Sequence, residues 1–315
     1  MLDLRPVYGR DEKRRRLAAM RREHGFWMRG GEGLAPGEAS RRVVRLADGA
    51  LLNRYWDDRQ TPRDESYRED VLIAGASGRP LGEVYREIRA GAESGWDFSS
   101  RWLGDGTLAS IRTTSILPID LNSLIYGLER AIAAMAADLG EQTDARHYGD
   151  LAGGRGAAIN RHLWSAEGGH CADHDLATHQ PRRELTAAAL YPLFVGLASD
   201  DRAAATANAA AGLLAAGGLR TTCTTTAEQW DAPNGWAPLQ WVAVAGLKRY
   251  GHDTLAGTIR SRWIAMVEAA YRRSGYLFEK YDVEAIKPGR GGEYGVQEGF
   301  GWTNGVTAAF IDEAD

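Results

Sequence analysis

Leu121, Leu124, Ile125, Leu128, Ile132, Met135 and Leu139 step by three and four through about five helical turns. That spacing gathers them on one stripe of an α-helix and would scatter them over both faces of a strand. Asp120 just ahead is expected to cap this helix and Gly140 just after to stop it. Similar periodicity predicts helices at about 12–28, 64–75, 82–93, 144–163, 184–198, 200–216, 237–250, 253–273 and 304–313. Strand-like alternation is scarce, with residues 42–46 the best short example. No linker or low-complexity tract divides the chain. Residues 1–315 therefore read as a single all-α domain.

The balance of charge narrows the function. The 315 residues carry 38 Lys and Arg against 42 Asp and Glu, a formal net charge of −4. Nucleic acid is not expected as the partner, because phosphate binding needs a basic surface. No run of eighteen apolar residues occurs, so no membrane span is expected. Cys171 and Cys223 have neither CxxC nor zinc spacing and cannot make a disulfide framework. Residues 1–6 show no charged segment leading into an apolar one, which points to the cytoplasm as the chain stands, or to the periplasm should the true N-terminus lie upstream. The basic run 13–16 reads as the solvated face of a helix whose apolar side carries Leu17, Met20 and Phe26.

The 38 glycines and 10 tryptophans concentrate in a few loops beside acids. These loops are Ser94-Gly95-Trp96-Asp97-Phe98, then Gln229-Trp230-Asp231 on to Trp236, then Gly291-Gly292-Glu293-Tyr294 on to Trp302. A ring beside a carboxylate suits a sugar: the ring packs on its C–H face and the acid accepts from its hydroxyls. The competing reading has each Trp plugging the core beneath a loop. Three such loops favour a sugar cleft. Hydrolysis of a glycoside needs two carboxyl groups, one protonated and one ionised. Asp97 is the best acid candidate, because the ring of Trp96 beside it could desolvate it. Asp231, Glu279, Glu293 and Glu298 are the candidates for the base, and chemistry alone does not rank them. Arg63 and Glu65 belong to a dense charged loop at 54–66.

Residues 229–238, Gln-Trp-Asp-Ala-Pro-Asn-Gly-Trp-Ala-Pro, resemble a signature segment of the α,α-trehalase family. Four further segments agree in order: 52–57, 93–102, 279–283 and the glycine-rich run 291–305. The resemblance implies an (α/α)6 toroid and inverting hydrolysis of trehalose to two glucoses. By position it implies Asp97 as general acid and Glu279 as general base. It places Arg63, Glu65, Gly95 and Glu293 at substrate-contacting positions, with Asp64 between the first two and Trp230 and Trp236 in the signature segment. It implies a small-molecule partner, trehalose or a related glucoside, and no cofactor.

The chain departs from the family pattern in two places. It has neither a Gly-Gly-Arg-Phe motif leading into Tyr-Trp-Asp-Ser-Tyr nor an Asn-Gly-Asn-Arg loop. It thus resembles the C-terminal portion of the family domain, and an incomplete toroid is expected, with a weakly active or inactive sugar-binding remnant as the alternative function. In residues 169–175, Gly-His-Cys-Ala-Asp-His-Asp, His170 and His174 stand where relatives tend to carry aromatics. Two His and a Cys could ligate zinc, but the favoured reading is a β-like segment whose alternation splits them between faces. The glycines of 289–295 lack the lysine of a phosphate loop.

Overall fold

A computed structural model of the chain describes residues 8–292 and 295–313. Among these the chain forms ten helices: α1 (Arg10–Met28), α2 (Tyr67–Ala76), α3 (Leu81–Glu93), α4 (Ile119–Leu139), α5 (Gln142–His162), α6 (Tyr191–Phe194), α7 (Asp200–Ala210), α8 (Ala237–Arg249), α9 (Asp253–Ser274) and α10 (Gly301–Asp312). Short antiparallel ladders of two or three strands fill the loops between them.

α4 follows the apolar stripe that predicts it. Leu121, Ile125, Ile132 and Leu139 are buried, while Leu124 lies on the exposed flank. It packs on α5 and on α1, with Leu17 of α1 buried against Ile132, Ala136 and Leu139. Gly140 ends it at φ +84°, a left-handed conformation that glycine adopts without strain. Asp120 is not the cap. Pro118 holds that position, and Asp120 lies buried inside the first turn, paired with Arg101. Along α1 the run 13–16 is solvated as expected, with Arg15 and Arg16 both paired to Glu12.

Two helical expectations shorten. Over 184–198, Thr186 pairs in an extended conformation with Thr222. A 3-10 turn at Ala187–Leu190 then leads into the four-residue α6. Pro192 has no N–H to donate, so it fits only the first turn of α6. Over 200–216, α7 stops at Ala210, and Leu214–Ala215 turns back on Gly218–Leu219. Gly218 at φ +124° permits that hairpin, a conformation closed to the helix-forming alanines before it. The expected strand at 42–46 appears as Val43–Arg45, in the middle of a ladder with Ala39–Ser40 and Leu51–Asn53.

The core is one large apolar cluster, which includes α8 in contact with α6, α9 and α10, beside a small separate one where Leu17 of α1 meets α4. One ladder matters most for the site. Tyr281–Asp282 lies between Asn234–Gly235 and Lys287–Pro288, with Asn234 opposite Asp282. It brings the segment before α8 alongside the segment after α9. Tyr67 and Leu72 of α2 and Leu81 of α3 are exposed apolar residues.

Candidate active site

Asp97 follows the end of α3. Ser94 and Gly95 turn the chain there, with Gly95 at φ +74° and the Ser94 hydroxyl accepting from the Trp96 N–H at 3.0 Å. Trp96 and Phe98 are buried on either side of Asp97, which is itself half-buried. Phe98 packs so tightly on α3 that a Cβ at Gly91 would come within 2.9 Å of its ring. Two anchored neighbours leave the Asp97 main chain little freedom.

The segment 229–231 grips this loop from the other side. The Trp230 N–H donates to the Phe98 carbonyl at 3.0 Å, and the Gln229 side-chain amide donates to the Asp97 carbonyl. Asp231 is fully buried and accepts from five donors: the Ser99 hydroxyl at 2.9 Å, the Ser100 N–H and hydroxyl both at 2.7 Å, Thr222 at 3.0 Å and Thr226 at 2.6 Å. A carboxylate committed to that many donors has no lone pair left for a water. Asp231 is therefore the knot between two loops, which removes it from the candidate bases.

Glu279 precedes the central strand of the ladder and is 3% exposed. Its N–H donates to the Gln297 carbonyl at 2.9 Å, and its own carbonyl accepts from the Trp302 indole at 3.0 Å. The Lys280 ammonium stands 3.2 Å from Glu279 Oε2 and 2.6 Å from Gln229 Oε1. The fold thus connects Asp97 and Glu279, remote in sequence, through Gln229 and Lys280. Glu298 is exposed, and Glu293 lies outside the described residues.

Trp230 stacks on Trp236 with centroids 3.9 Å apart and on Trp96 at 5.4 Å, and Trp302 meets both signature rings edge-on. The signature tryptophans are 5% and 1% exposed. They form a buried pillar under the loops, and neither presents an open face to a ligand, contrary to the platform expected from composition. The Trp230 indole N–H is buried without a partner.

Arg63 is buried against the same loop. Its guanidinium bonds both Asp70 oxygens, the shortest contact being 2.7 Å, and lies 5.1 Å from the Phe98 ring. Asp64 and Glu65 are exposed beside it, and Gly95 is exposed at the turn. Asp70 is a residue the sequence did not single out. Arg101 is another. Its guanidinium bonds Asp120 at 2.7 and 2.8 Å and Asp173 at 2.6 and 2.7 Å, and it lies 4.6 Å from the Trp96 ring. Burial works to lower the Arg101 pKa, yet the two carboxylates hold it well above its ordinary value.

The segment 169–175 is β-like as expected, though its histidines lie on separate ladders. His170–Cys171 pairs with Trp164–Ser165, while His174–Asp175 pairs with Ile116–Leu117 and Gln180–Pro181. Among the described residues no three His, Cys, Asp or Glu side chains converge as metal ligands. The acid of this segment that reaches the site is Asp173, through Arg101.

Comparison with known proteins adds a family to this geometry. The trehalase family model matches residues 5–315. The periplasmic trehalase of Xanthomonas campestris pv. campestris is 54% identical over 310 residues, covering 97% of this chain and 54% of that protein. The periplasmic trehalase of Pseudomonas aeruginosa is 55% identical over 302 residues, covering 95% and 55%. The chain spans about half the length of the curated relatives it matches. The structure of neutral trehalase from Saccharomyces cerevisiae superposes with a TM-score of 0.73 at 24% identity, over 95% of this chain and 57% of that one. This last likeness carries the fold alone, that of an (α/α)6 toroid.

Proposed function

The chain belongs to the trehalase family, and from that premise we propose that it hydrolyses trehalose to two glucoses with inversion. Asp97 in its protonated form would donate to the glycosidic oxygen as the bond to the anomeric carbon breaks. Glu279, ionised, would take a proton from a water whose oxygen forms the new bond on the opposite face. Water ends shared between the two products. Inversion at an α-linked carbon releases one glucose as the β anomer and leaves the other α.

The observation that carries this reading is the shared clamp. Gln229 bonds the Asp97 carbonyl and, through Lys280, reaches the Glu279 carboxylate. Two carboxyl residues about one buried segment is the layout a two-carboxyl hydrolase needs. Arg63, steadied by Asp70, is assigned to sugar hydroxyls near Asp97, and Asp64, Glu65, Gly95 and Glu293 to the surrounding rim. Trp230 and Trp236 support the site from below. The extent of identity with curated trehalases favours hydrolysis over an inert sugar-binding remnant. No nucleic acid has a part in this chemistry. No helix among the described residues is long and apolar enough to cross a membrane. The cytoplasmic expectation gains no support from relatives named periplasmic trehalases, so the periplasm is the proposed compartment.

The test is glucose release from trehalose by the purified chain, with anomers resolved by proton NMR before they equilibrate. Asp97→Asn and Glu279→Gln should each lower kcat on the order of a thousandfold. Undiminished activity in Asp97→Asn would remove Asp97 from the mechanism, and early release of α-glucose alone would rule out inversion.

A further inference from the structure

We propose that Gln229 and Lys280 are positioning residues, a buried strut that sets how far apart, and in what orientation, Asp97 and Glu279 stand; this rests on reading those two as the acid and base. The Gln229 Nε2 donates to the Asp97 main-chain oxygen, and Gln229 Oε1 accepts from Lys280 Nζ at 2.6 Å. The same Nζ stands 3.2 Å from Glu279 Oε2. The bonded path therefore runs from the main chain that carries one carboxyl to the oxygen of the other.

The strut is directional. A flipped amide would set its NH2 against an ammonium and its oxygen against a carbonyl, so only one orientation satisfies both ends. Gln229, Lys280 and Glu279 are 2%, 0% and 3% exposed, so bulk water competes little for these links. A buried ammonium needs fixed, well-placed partners. Lys280 finds them in Gln229, in Glu279 and in the Trp236 ring 5.3 Å away.

Gln229 is itself immobilised. Its carbonyl accepts from Asn234 at 3.0 Å and from the Trp236 indole at 3.1 Å. Gly292 closes over it, where any Cβ would come within 2.6 Å of Gln229 Oε1. Inverting hydrolysis works only within a window of carboxyl separation, ~6.5–9.5 Å, that admits one water. A rigid link between the two residues fixes their relative placement before substrate arrives, so it bears on the chemical step more than on sugar binding.

The experiment uses the whole chain and the variants Gln229→Met, which removes both links at similar volume, and Gln229→Glu, which keeps the acceptor for Lys280 and loses the donor to Asp97. Calorimetry measures neutral glucose and a glucose mimic with a cationic ring nitrogen, a probe that reads both carboxyls together. Steady-state kinetics on trehalose run in parallel. In Gln229→Met, affinity for the cationic mimic should fall about tenfold while glucose stays within about threefold, and kcat should fall about a hundredfold with KM little changed. Gln229→Glu carries the same expectation for kcat if the Met variant fails to fold. Loss of both sugars together marks a merely structural role and overturns the inference, as does no change in either. A parent chain that binds neither sugar overturns the functional reading, and the inference with it.

Discussion

The guanidinium of Arg101 lies 4.6 Å from the ring of Trp96, the residue immediately before Asp97. It is also 4.5 Å from the Trp102 ring, and it makes four N–H bonds, two to Asp120 on α4 and two to Asp173 after the strand His170–Cys171. Asp173 in turn accepts from the Ile119 N–H at 2.9 Å, at the start of α4. One planar cation thus ties the Asp97 loop to α4 and to the segment between the strands His170–Cys171 and His174–Asp175, and only a fork of donors can serve two carboxylates at once.

Arg101→Lys is therefore not a conservative change. A lysine can bond one carboxylate well and leaves the other buried and underpaired, a situation that costs about 3–5 kcal/mol. Urea unfolding of the variant should show a loss of that size. Asp120→Asn should show a smaller loss, because Asp173 still neutralises Arg101. A Lys variant as stable as the parent would mean that Arg101 does not hold this loop.

Asp231 and Glu279 are predicted to separate by what their amides disturb. Asp231→Asn places an NH2 among five donors that all need an acceptor, at a cost of about 1–3 kcal/mol for each group left unsatisfied. Its melting temperature should fall with its activity. Glu279→Gln keeps an oxygen for Lys280 and should retain most of its stability while losing turnover. Differential scanning calorimetry beside the glucose assay distinguishes the two patterns, and equal melting temperatures would deny Asp231 its structural role.

How far the sequence reached follows from where each signal lives. The stripe on α4 is local and periodic, so the helix and its stop at Gly140 were legible to the residue. The start was not, because Asp120 is drawn inward by Arg101, 19 positions earlier. The helix expected at 184–198 failed for a similar reason: Thr186 pairs with Thr222, a contact that propensity cannot register. In sequence Asp231 and Glu279 look alike, each a carboxylate near aromatics and a turn. What separates them is the donors around Asp231, which come from segments as far as 132 positions away. The tryptophans marked loops that meet in the structure but not the depth of their rings, since burial is a property of the closed pillar.

The two cysteines should report burial directly. Burial pushes the Cys171 thiol up to about 12, whereas Cys223 is exposed. Only the thiolate reacts. At pH 8 an aromatic disulfide reagent should titrate one thiol per native chain rapidly and the second only after denaturation. Rapid reaction of both would show that the strand His170–Cys171 opens readily to solvent.

His174 should make the stability of this region depend on pH. Its Nδ1 bonds the His162 carbonyl at 3.0 Å, and its Nε2 is buried without a partner. Burial pulls its pKa below the ordinary 6.5, against the help of that carbonyl, while His162 and His179 oppose a further positive charge and Asp175 favours it. With the folded value below the unfolded one, the unfolded chain takes up the proton first as pH falls through about 6.5. This contribution to stability is thus present above that pH and is lost between it and the lower folded value. The urea midpoint should drop from pH 7.5 to pH 5, and His174→Phe should flatten the part of that slope that His174 causes. Carboxylates elsewhere titrate in both proteins alike, so the difference between the two slopes isolates the histidine. Parallel slopes would show that the His174 ring meets solvent in the folded chain.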